Sequence, residues 1–493
     1  MNLVCRLPRR SCELMLSGLR TIISLFGPYF KSSAKHPYIT HGQLLGEIPK
    51  TLTSVLLAFD IEPRVHRYIC CPTCFALYPA VKPYPVRCTD KYACDSLECG
   101  AKLLRRRNIR GQIDFSPVKT YLHQDFKQWM ARFLSRPGIE DLIEATTTRA
   151  RQRSDGDVIH GILQAAGLRN FAGPDGKPFL DAPPGQIRLV WSFSADSFNP
   201  FFNREAKQTV SSTGIYLVCN NLPEDIMQRP ENMYFVGAAP GPKKPSLTEL
   251  NHFIELIVQD FLDFWVPGVT FTRTAKYHDG VHTHAIIVPV ICDALGARQA
   301  VGMGAVTSKF FCTFCYLPIQ NLENFNKESW PPRDLQRHRE HARMWLEADA
   351  PTREALFKHT GIRWSPLLKL PYFDPIRFTV IDTMHNLYLG LLQRHCRDIW
   401  GMNIEFEDGD GVKRPRGSIP SQPSIEDMEE GRVALETGSK TKLRNCSKPV
   451  LWYLCEELAL RRGGKKADLV KALLDWVRNS LCFPSFMTEC RKQ

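Results

Sequence analysis

The sequence lacks any uninterrupted apolar run of the roughly 18–20 residues that a membrane-spanning helix needs. Its apolar N-terminal stretch, from Leu14 to Phe30, is interrupted by Arg20 and preceded by charged residues, so it does not have the pattern of a secretory signal peptide. The sequence also lacks a P-loop motif and the nucleophile turn of serine hydrolases. These absences argue against a membrane protein, a P-loop NTPase and an ordinary serine hydrolase.

Acidic residues are in deficit. The chain has 51 aspartates and glutamates against 64 lysines and arginines, which gives a formal net charge of +13. Such a balance favours an anionic partner, usually nucleic acid, although a basic soluble surface would give the same count. The 493 residues, of which 43% are hydrophobic, allow about two to four folded domains.

Cysteine is abundant, with 17 residues, and several cysteines stand at metal-ligand spacings. Cys71 and Cys74 form a C-x-x-C pair, and two short facing loops of this kind can hold zinc tetrahedrally. This pattern favours a reducing compartment with zinc-bound thiolates, and buried free cysteines are the alternative. The predicted ligands are Cys71, Cys74, Cys88 and Cys99, with Cys94 as the alternative third ligand.

A basic cluster follows these cysteines directly. Its arginines would contact nucleic-acid phosphates or serve nuclear import, and a solvated run of charges is the competing explanation. The cluster lies in residues 103–110, and its predicted nucleic-acid-binding residues are Arg105, Arg106 and Arg107. Further on, five apolar residues share one face of a predicted helix, which indicates core packing. They are Phe126, Trp129, Met130, Phe133 and Leu134.

Two predicted strands stop at a carboxylate. An apolar run over 187–193 predicts a buried strand that stops at Asp196, and a strand over 283–292 stops at Asp293. Between them the sequence predicts strands at 213–219 and 233–239 and a helix at 247–265. This order is that of the ribonuclease H-like fold, in which the first and fourth strands are neighbours.

Neighbouring strands would bring the two carboxylates together, and oxygen ligands of this kind suit Mg²⁺. Two metal ions held there would activate water and stabilise a leaving oxygen. The alternative for Asp196 is a turn former or a helix N-cap.

Several distinctive stretches occur in order over residues 65–400, among them Cys71-Pro-Thr-Cys-Phe-Ala-Leu-Tyr-Pro79, Asp196-Ser-Phe-Asn-Pro-Phe201, Asp293-Ala-Leu-Gly-Ala-Arg298, Phe311-Cys312-Thr-Phe-Cys315 and Asp382-Thr-Met-His-Asn-Leu-Tyr-Leu-Gly-Leu391. Together they resemble the fungal branch of CACTA-type (CMC superfamily) DDE transposases. The resemblance implies a ribonuclease H-like core that cuts DNA at transposon ends and joins it to a target with Mg²⁺ or Mn²⁺. It also implies that Asp196 and Asp293 are the first and second catalytic carboxylates.

The third carboxylate departs from the pattern of that family. In plant members, the segment that matches Asp382-Thr-Met-His385-Asn386 carries a glutamate at the Asn386 position, and this glutamate is thought to complete the triad. Because Asn386 cannot be a charged ligand, Asp382, about one helical turn earlier, is the predicted third catalytic carboxylate. The alternative for Asp382 is an N-cap of the following helix, and His385 would either orient a phosphate or pack.

An insertion at about 305–375, predicted to be largely helical, lies between the second and third carboxylates. It contains Cys312 and Cys315, and the resemblance supports this pair as zinc ligands. His338 and His341 are the candidates that would complete a Cys₂His₂ site.

The C-terminal part is predicted to be a flexible linker over 401–440 and a SAP-like DNA-binding helical hairpin over 441–480. In the hairpin, Lys465 and Lys466 stand at a helix N-terminus and would contact phosphates. A plain helical hairpin with solvated lysines is the alternative.

The predicted fold class is α/β. A helical region (1–65), a zinc-binding module (66–112) and a helical linker region (113–185) precede a ribonuclease H-like core with its insertion (186–400). The predicted function is that of a metal-dependent DNA transposase located in the nucleus. Its predicted partners are DNA and further copies of the same chain, and no membrane association is predicted. A second hypothesis is an inactive derivative that keeps zinc and DNA binding, motivated by Asn386 and by a C-terminus shorter than is usual in that family. A third is a zinc-dependent protein-interaction module.

Overall fold

The computed structural model describes residues 9–26, 45–59, 62–109, 112–154, 156, 158–199, 210–402, 420, 422–458, 460 and 465–481. The chain divides into two compact units, Met1–Leu389 and Gly390–Gln493. Within the described ranges, no helix is long and apolar enough to cross a membrane.

The elements combine helices and strands into a mixed α/β protein. The strands are β1 (Val65–Cys70), β2 (Leu77–Pro79), β3 (Leu104–Ile109), β4 (Gln112–Pro117), β5 (Lys119–Gln124), β6 (Gln186–Phe198), β7 (Ser212–Cys219), β8 (Met233–Ala239), β9 (Val269–Phe271), β10 (Val281–Cys292) and β11 (Thr379–Ile381). The helices of the first unit are α1 (Arg9–Phe26), α2 (Leu52–Ala58), α3 (Phe126–Leu134), α4 (Ile139–Gln152), α5 (Ala166–Arg169), α6 (Glu224–Met227), α7 (Asn251–Trp265), α8 (Ala294–Ala300), α9 (Leu335–Glu347) and α10 (Ala350–Thr360). Wider, π-type helical turns cover Met384–Leu392 and His395–Ile399.

A mixed sheet forms the centre of the first unit. Its strands lie in the order β11-β10-β6-β7-β8, and β9 pairs with the beginning of β10. Strands β6, β10 and β11 run parallel to one another, whereas β7 and β8 continue the sheet in antiparallel fashion. The first and fourth strands of the predicted core are therefore neighbours, and β11, which follows the insertion, lies beside them.

The centre of the sheet is buried on both faces. Residues 187–193 of β6 are all buried, which is the continuous apolar pattern of a strand covered on two sides. Helix α3 packs against this strand through aromatic rings. The ring centroids of Phe126 and Trp129 lie 5.5 and 5.6 Å from that of Trp191. The predicted face of this helix is confirmed, since Phe126, Met130, Phe133 and Leu134 are buried.

Residues 113–124 differ from the predicted helical linker, because they form β4 and the neighbouring strand β5. In β5 the buried Tyr121 and His123 alternate with the exposed Leu122, which is a strand pattern, and β5 pairs with β1. A Cβ at Gly237 in β8 would lie 2.4 Å from the Leu122 carbonyl oxygen, so a glycine is required where β5 meets the main sheet.

The second unit is helical in its described part and has its own apolar core, which includes Leu451, Leu454 and Leu469. The flexible linker predicted over 401–440 is wrong for 425–436, which forms a helix capped by Ser424. This polar segment folds because Ala434 and Leu435 are buried in that core. Residues 403–419 lie outside the described residues. The helices are α11 (Ile425–Glu436), α12 (Lys440–Asn445), α13 (Lys448–Glu457) and α14 (Lys466–Leu481).

Candidate metal centres

Four cysteine thiols form a compact cluster beside β1. Their sulfur atoms all lie within 4.8 Å of one another, with Cys71 Sγ 3.7 Å from Cys99 Sγ and Cys74 Sγ 3.4 Å from Cys88 Sγ. Tetrahedral zinc with bonds of about 2.3 Å requires sulfur separations of about 3.8 Å. The cluster could therefore hold a metal such as zinc, and it consists of the four predicted ligands. Cys94 is exposed and lies outside it.

Two tight loops bring the thiols together. In the first loop, the Phe75 amide donates to the Cys71 carbonyl oxygen, the Thr73 amide donates to Cys71 Sγ at 3.4 Å, and Phe75 has a left-handed backbone. In the second loop, the Gly100 amide donates to the Cys88 carbonyl oxygen at 2.9 Å, and Gly100 has φ of 65°, a conformation that favours glycine. Local backbone geometry thus orients the four sulfur atoms toward one point.

Burial and hydrogen bonding act in opposite directions on the thiols of the cluster. Burial raises the pKa of the Cys88 thiol to about 11 and also raises that of Cys74. Burial alone would raise the pKa of Cys71 as well, but amide hydrogen bonds from Cys74 and Thr73 reverse the direction and lower it. Thiolates are costly to bury without a positive charge, and zinc would supply that charge.

The loop between Cys88 and Cys99 contacts the insertion, as well as α7 in the core. Asp95 Oδ1 accepts a hydrogen bond from the Ala350 amide at 2.9 Å, and the Tyr92 carbonyl oxygen accepts one from Arg353. Asp90 Oδ2 lies 3.7 Å from His252 Nε2 on α7. A metal that fixes this loop would therefore also help to position α10.

The three predicted carboxylates line a second site, a cavity of about 970 Å³ at the edge of the main sheet. Asp293 and Asp382 directly follow β10 and β11. Asp196 differs from the prediction, because β6 does not stop there but continues to Phe198 and pairs Asp196 with Gly214 of β7.

Each carboxylate accepts a hydrogen bond from a nearby backbone amide. Asp196 Oδ1 accepts from Ser197 N at 2.7 Å. Asp293 Oδ1 accepts from Gly296 N at 2.5 Å, as the N-cap of α8. Asp382 Oδ1 accepts from Met384 N at 3.1 Å. The capping alternative stated for Asp382 thus corresponds to a real contact.

His385 also pairs with Asp382 through Nδ1 and Oδ2. Burial by itself would raise the pKa of Asp382, but the hydrogen bonds from His385 and the Met384 amide outweigh it and lower that pKa. The carboxylates are less closely gathered than the thiols. Across the described ranges, only the four cysteines form a group of three or more histidine, cysteine or acidic side chains close enough to share a metal.

The cavity also contains residues that the sequence analysis missed. Tyr216 of β7 lies opposite Ser194 of β6, and burial together with the charge of Asp196 raises the pKa of its phenol. Arg149 and His160, from the predicted linker region, line the same cavity. Ser194, which pairs with Tyr216, and Asp196 are two residues apart on β6 and therefore share a face. Knowledge of the pairing between β6 and β7 would thus have indicated Tyr216 as a residue near Asp196. No local signal pointed to Arg149 or His160.

The second cysteine pair is not gathered with its candidate histidines. Cys312 and Cys315 belong to one tight turn, in which the Phe314 amide donates to Cys312 Sγ at 3.4 Å. His338 is fully buried, neither of its ring nitrogens has a hydrogen-bond partner, and burial lowers its pKa to about 3. The guanidinium of Arg333 lies near both groups, with Nε donating to the Cys312 carbonyl oxygen.

The predicted nucleic-acid-binding residues lie in two places. Arg105, Arg106 and Arg107 are exposed on β3. Lys465 is exposed and Lys466 is half-buried at the beginning of α14. There the carboxylate of Asp468 accepts a hydrogen bond from the Lys465 amide at 2.7 Å. The hairpin hypothesis assigns backbone amides at this helix N-terminus to a phosphate, and this one is already hydrogen-bonded within the chain.

Comparison with known proteins leaves the family open. No protein-family model matches the chain, and no curated protein shows significant sequence similarity to it.

Proposed function

We propose that this protein is a metal-dependent DNA transposase with a ribonuclease H-like core. The observation that carries the proposal is the sheet order β8-β7-β6-β10-β11. Its three adjacent parallel strands bring Asp196, near the end of β6, together with Asp293 and Asp382, which directly follow β10 and β11, around one cavity. The ordered stretches that resemble CACTA-type transposases support the same function. The excess of basic residues suits DNA as the partner and the nucleus as the place of action.

The donor set fits a hard divalent cation in its chemistry, since carboxylate oxygens are the ligands that Mg²⁺ and Mn²⁺ take. Asp196, Asp293 and Asp382 would hold the ions, which when bound would lower the pKa of the attacking water and stabilise the leaving oxygen. Asp382 is oriented by His385. The Tyr216 phenol, kept protonated by its raised pKa, can donate a hydrogen bond to a phosphate oxygen in the cavity. Arg149 adds a cation at the cavity wall.

The cysteine cluster would have a structural role in this protein. A tetrahedral zinc bound there would have all four ligand positions taken by protein thiolates, which would leave no open position for a substrate. The helical hairpin of the second unit would add a SAP-like DNA contact through Lys465 and Lys466.

The test is a nicking assay on a supercoiled plasmid that carries candidate transposon ends, with Mg²⁺ or Mn²⁺. We expect metal-dependent nicking by the wild type and its loss in Asp196→Ala and Asp293→Ala. Asp279→Ala, which removes an exposed carboxylate elsewhere in the chain, is the matched control and should nick normally. Nicking that survives both cavity substitutions would rule out the proposed site.

A second candidate function is a transposon-derived protein that binds zinc and DNA without cutting. Two observations favour it: Asn386 stands where plant relatives of the resembled family carry a glutamate, and the three carboxylates are not gathered to metal-binding distance. Wild-type protein that binds DNA with a steep salt dependence, yet never nicks it with either metal, would place this candidate first.

A further inference from the structure

Strands β3 and β4 form a two-stranded ribbon that pairs with neither of the other sheets. Described residues on both of its faces are exposed, including Arg105, Arg106 and Arg107 on β3. Phe115 and Ile113 on β4 are each 54% exposed. A bare ribbon is marginally stable alone, and exposed apolar side chains beside arginines are typical of a surface that is covered by a partner.

The register shows that the two faces of the ribbon differ. Directly paired residues share a face, so one face combines Arg106 with Phe115 and Asn108 with Ile113. The other face combines Arg105 with Ser116 and Arg107 with Asp114. These faces are called here the Arg106 face and the Arg107 face.

The two faces carry the same formal net charge, but their arginines differ in their neighbours. On the Arg107 face, Asp114 stands opposite Arg107, and Arg105 Nε donates to Ser116 Oγ at 3.4 Å. On the Arg106 face, none of the described residues is acidic. The Arg106 face therefore presents an uncompensated cation beside two exposed apolar side chains.

The base of the ribbon is attached to the cysteine module. Leu103, which precedes β3, is fully buried in the same apolar cluster as Cys71 and Cys88. Its amide donates to the Val86 carbonyl oxygen, and its carbonyl oxygen accepts from the Val118 amide at 2.8 Å. The ribbon is therefore fixed at its base while both of its faces remain exposed.

We infer that the ribbon is a duplex-DNA-binding arm that docks through its Arg106 face. The inference rests on the proposed function for its partner and goes further, because it assigns the contact to one face and excludes Arg105 and Arg107 from it. A two-stranded ribbon fits a groove of duplex DNA. Arg106 would contact a backbone phosphate, and Phe115 and Ile113 would make apolar contacts with the groove or wedge into a base step.

The experiment measures binding of the full-length chain to a fluorescein-labelled duplex by anisotropy over a series of salt concentrations. Arg106→Ala combined with Phe115→Ala should weaken binding about tenfold or more, and Arg106→Ala alone should reduce the salt slope by about one. Arg105→Ala and Arg107→Ala are the matched controls and should change affinity less than about threefold. Zinc content and melting temperature should be unchanged in all variants, because the substituted side chains are exposed.

Two results would overturn the inference. Equal losses from all three arginine substitutions would mean that the ribbon contributes charge without a docking face. Tighter binding of the matching single strand, still dependent on Phe115, would assign the face to unpaired bases. The proposed function is tested separately by the plasmid assay. If the wild type nicks the plasmid and the ribbon variants bind DNA normally, the DNA-binding arm alone is refuted. If the ribbon variants lose DNA binding and the wild type never nicks the plasmid, the transposase function alone is refuted.

Discussion

The cysteine cluster and the carboxylate cavity have similar proposed partners but differ in how completely the folded chain assembles them. The four thiols already lie within 4.8 Å of one another, whereas each of the three carboxylates accepts a nearby amide hydrogen bond. Burial favours the neutral form of the Cys74 and Cys88 thiols, so packing can gather them without strong charge repulsion. Ionised carboxylates repel one another, and each of these three is stabilised by its own local amide donor. Local loops and packing thus gather the thiols closely, whereas the carboxylates stay further apart, each with its own hydrogen-bond donor.

The largest effect should come from breaking the thiol cluster. Cys71→Ser or Cys88→Ser should abolish stoichiometric zinc and destabilise the module severely, because a structural zinc contributes of order 10 kcal/mol to folding in small domains. Zinc content by atomic absorption and thermal melting measure this. Cys94→Ser is the matched control. Loss of zinc from Cys94→Ser, or retention in Cys88→Ser, would contradict the assigned ligand set.

The next effect concerns the loop that the cluster holds. Arg353 donates to the carbonyl oxygens of Tyr92, Leu346 and Ala348, and its guanidinium lies 4.5 Å from the Trp345 ring centroid. Arg353→Met should cost about 2–4 kcal/mol, because it leaves these acceptors unsatisfied.

Limited proteolysis is the measurement. Arg353→Met should expose α9 and α10 to cleavage while zinc stays bound, and a chelator should do the same to the wild type. The exposed Arg343→Met serves as the control. Resistance of the chelated wild type would show that the metal does not position the insertion.

Substitutions of Asp293 separate its capping role from the catalytic role proposed for it. Asp293→Ala removes both the N-cap of α8 and a carboxylate, and should cost about 1 kcal/mol of unfolding free energy. Asp293→Asn keeps a side-chain oxygen that can accept the capping hydrogen bond, so it should cost only a few tenths of a kcal/mol of unfolding free energy. Both variants should lose nicking. Urea unfolding beside the plasmid assay distinguishes the two. Equal stability losses would mean that the capping bond contributes little.

The smallest effect is pH-dependent. The lowered pKa of Asp382 means that its partners stabilise the ionised form, so their contribution is present above about pH 4, where the unfolded carboxyl is ionised, and is lost as the pH falls through the folded value. His385→Ala should therefore reduce stability at neutral pH by less than about 1 kcal/mol and make little difference near pH 3. Carboxyl NMR titration of Asp382 in both proteins checks the cause. An unchanged Asp382 pKa in His385→Ala would show that the histidine is not responsible.

Local patterns predicted much of the fold. The strand over 283–292 is found at Val281–Cys292 and that over 213–219 at Ser212–Cys219, because each is an apolar run bounded by turn residues. The helix predicted from 247 begins later, at Asn251, after a segment rich in proline and turns. Residues 113–124 and 425–436 were assigned wrongly, since their states depend on a pairing strand and on a buried helix face that composition does not reveal.

The sequence by itself indicated the thiol set, with Cys94 as an open alternative, because two short loops with a glycine at position 100 bring their sulfur atoms together through local hydrogen bonds. The structure excluded Cys94, which lies outside the cluster. It also determined which segments could be central strands. Only the tertiary structure decided that β11 pairs with β10 across the insertion, that Asp382 shares a cavity with Asp196 and Asp293, and that Arg149 lies in its wall. These are contacts between residues far apart in sequence. They are fixed by strand pairing and by packing of the whole core, which no local window of residues specifies.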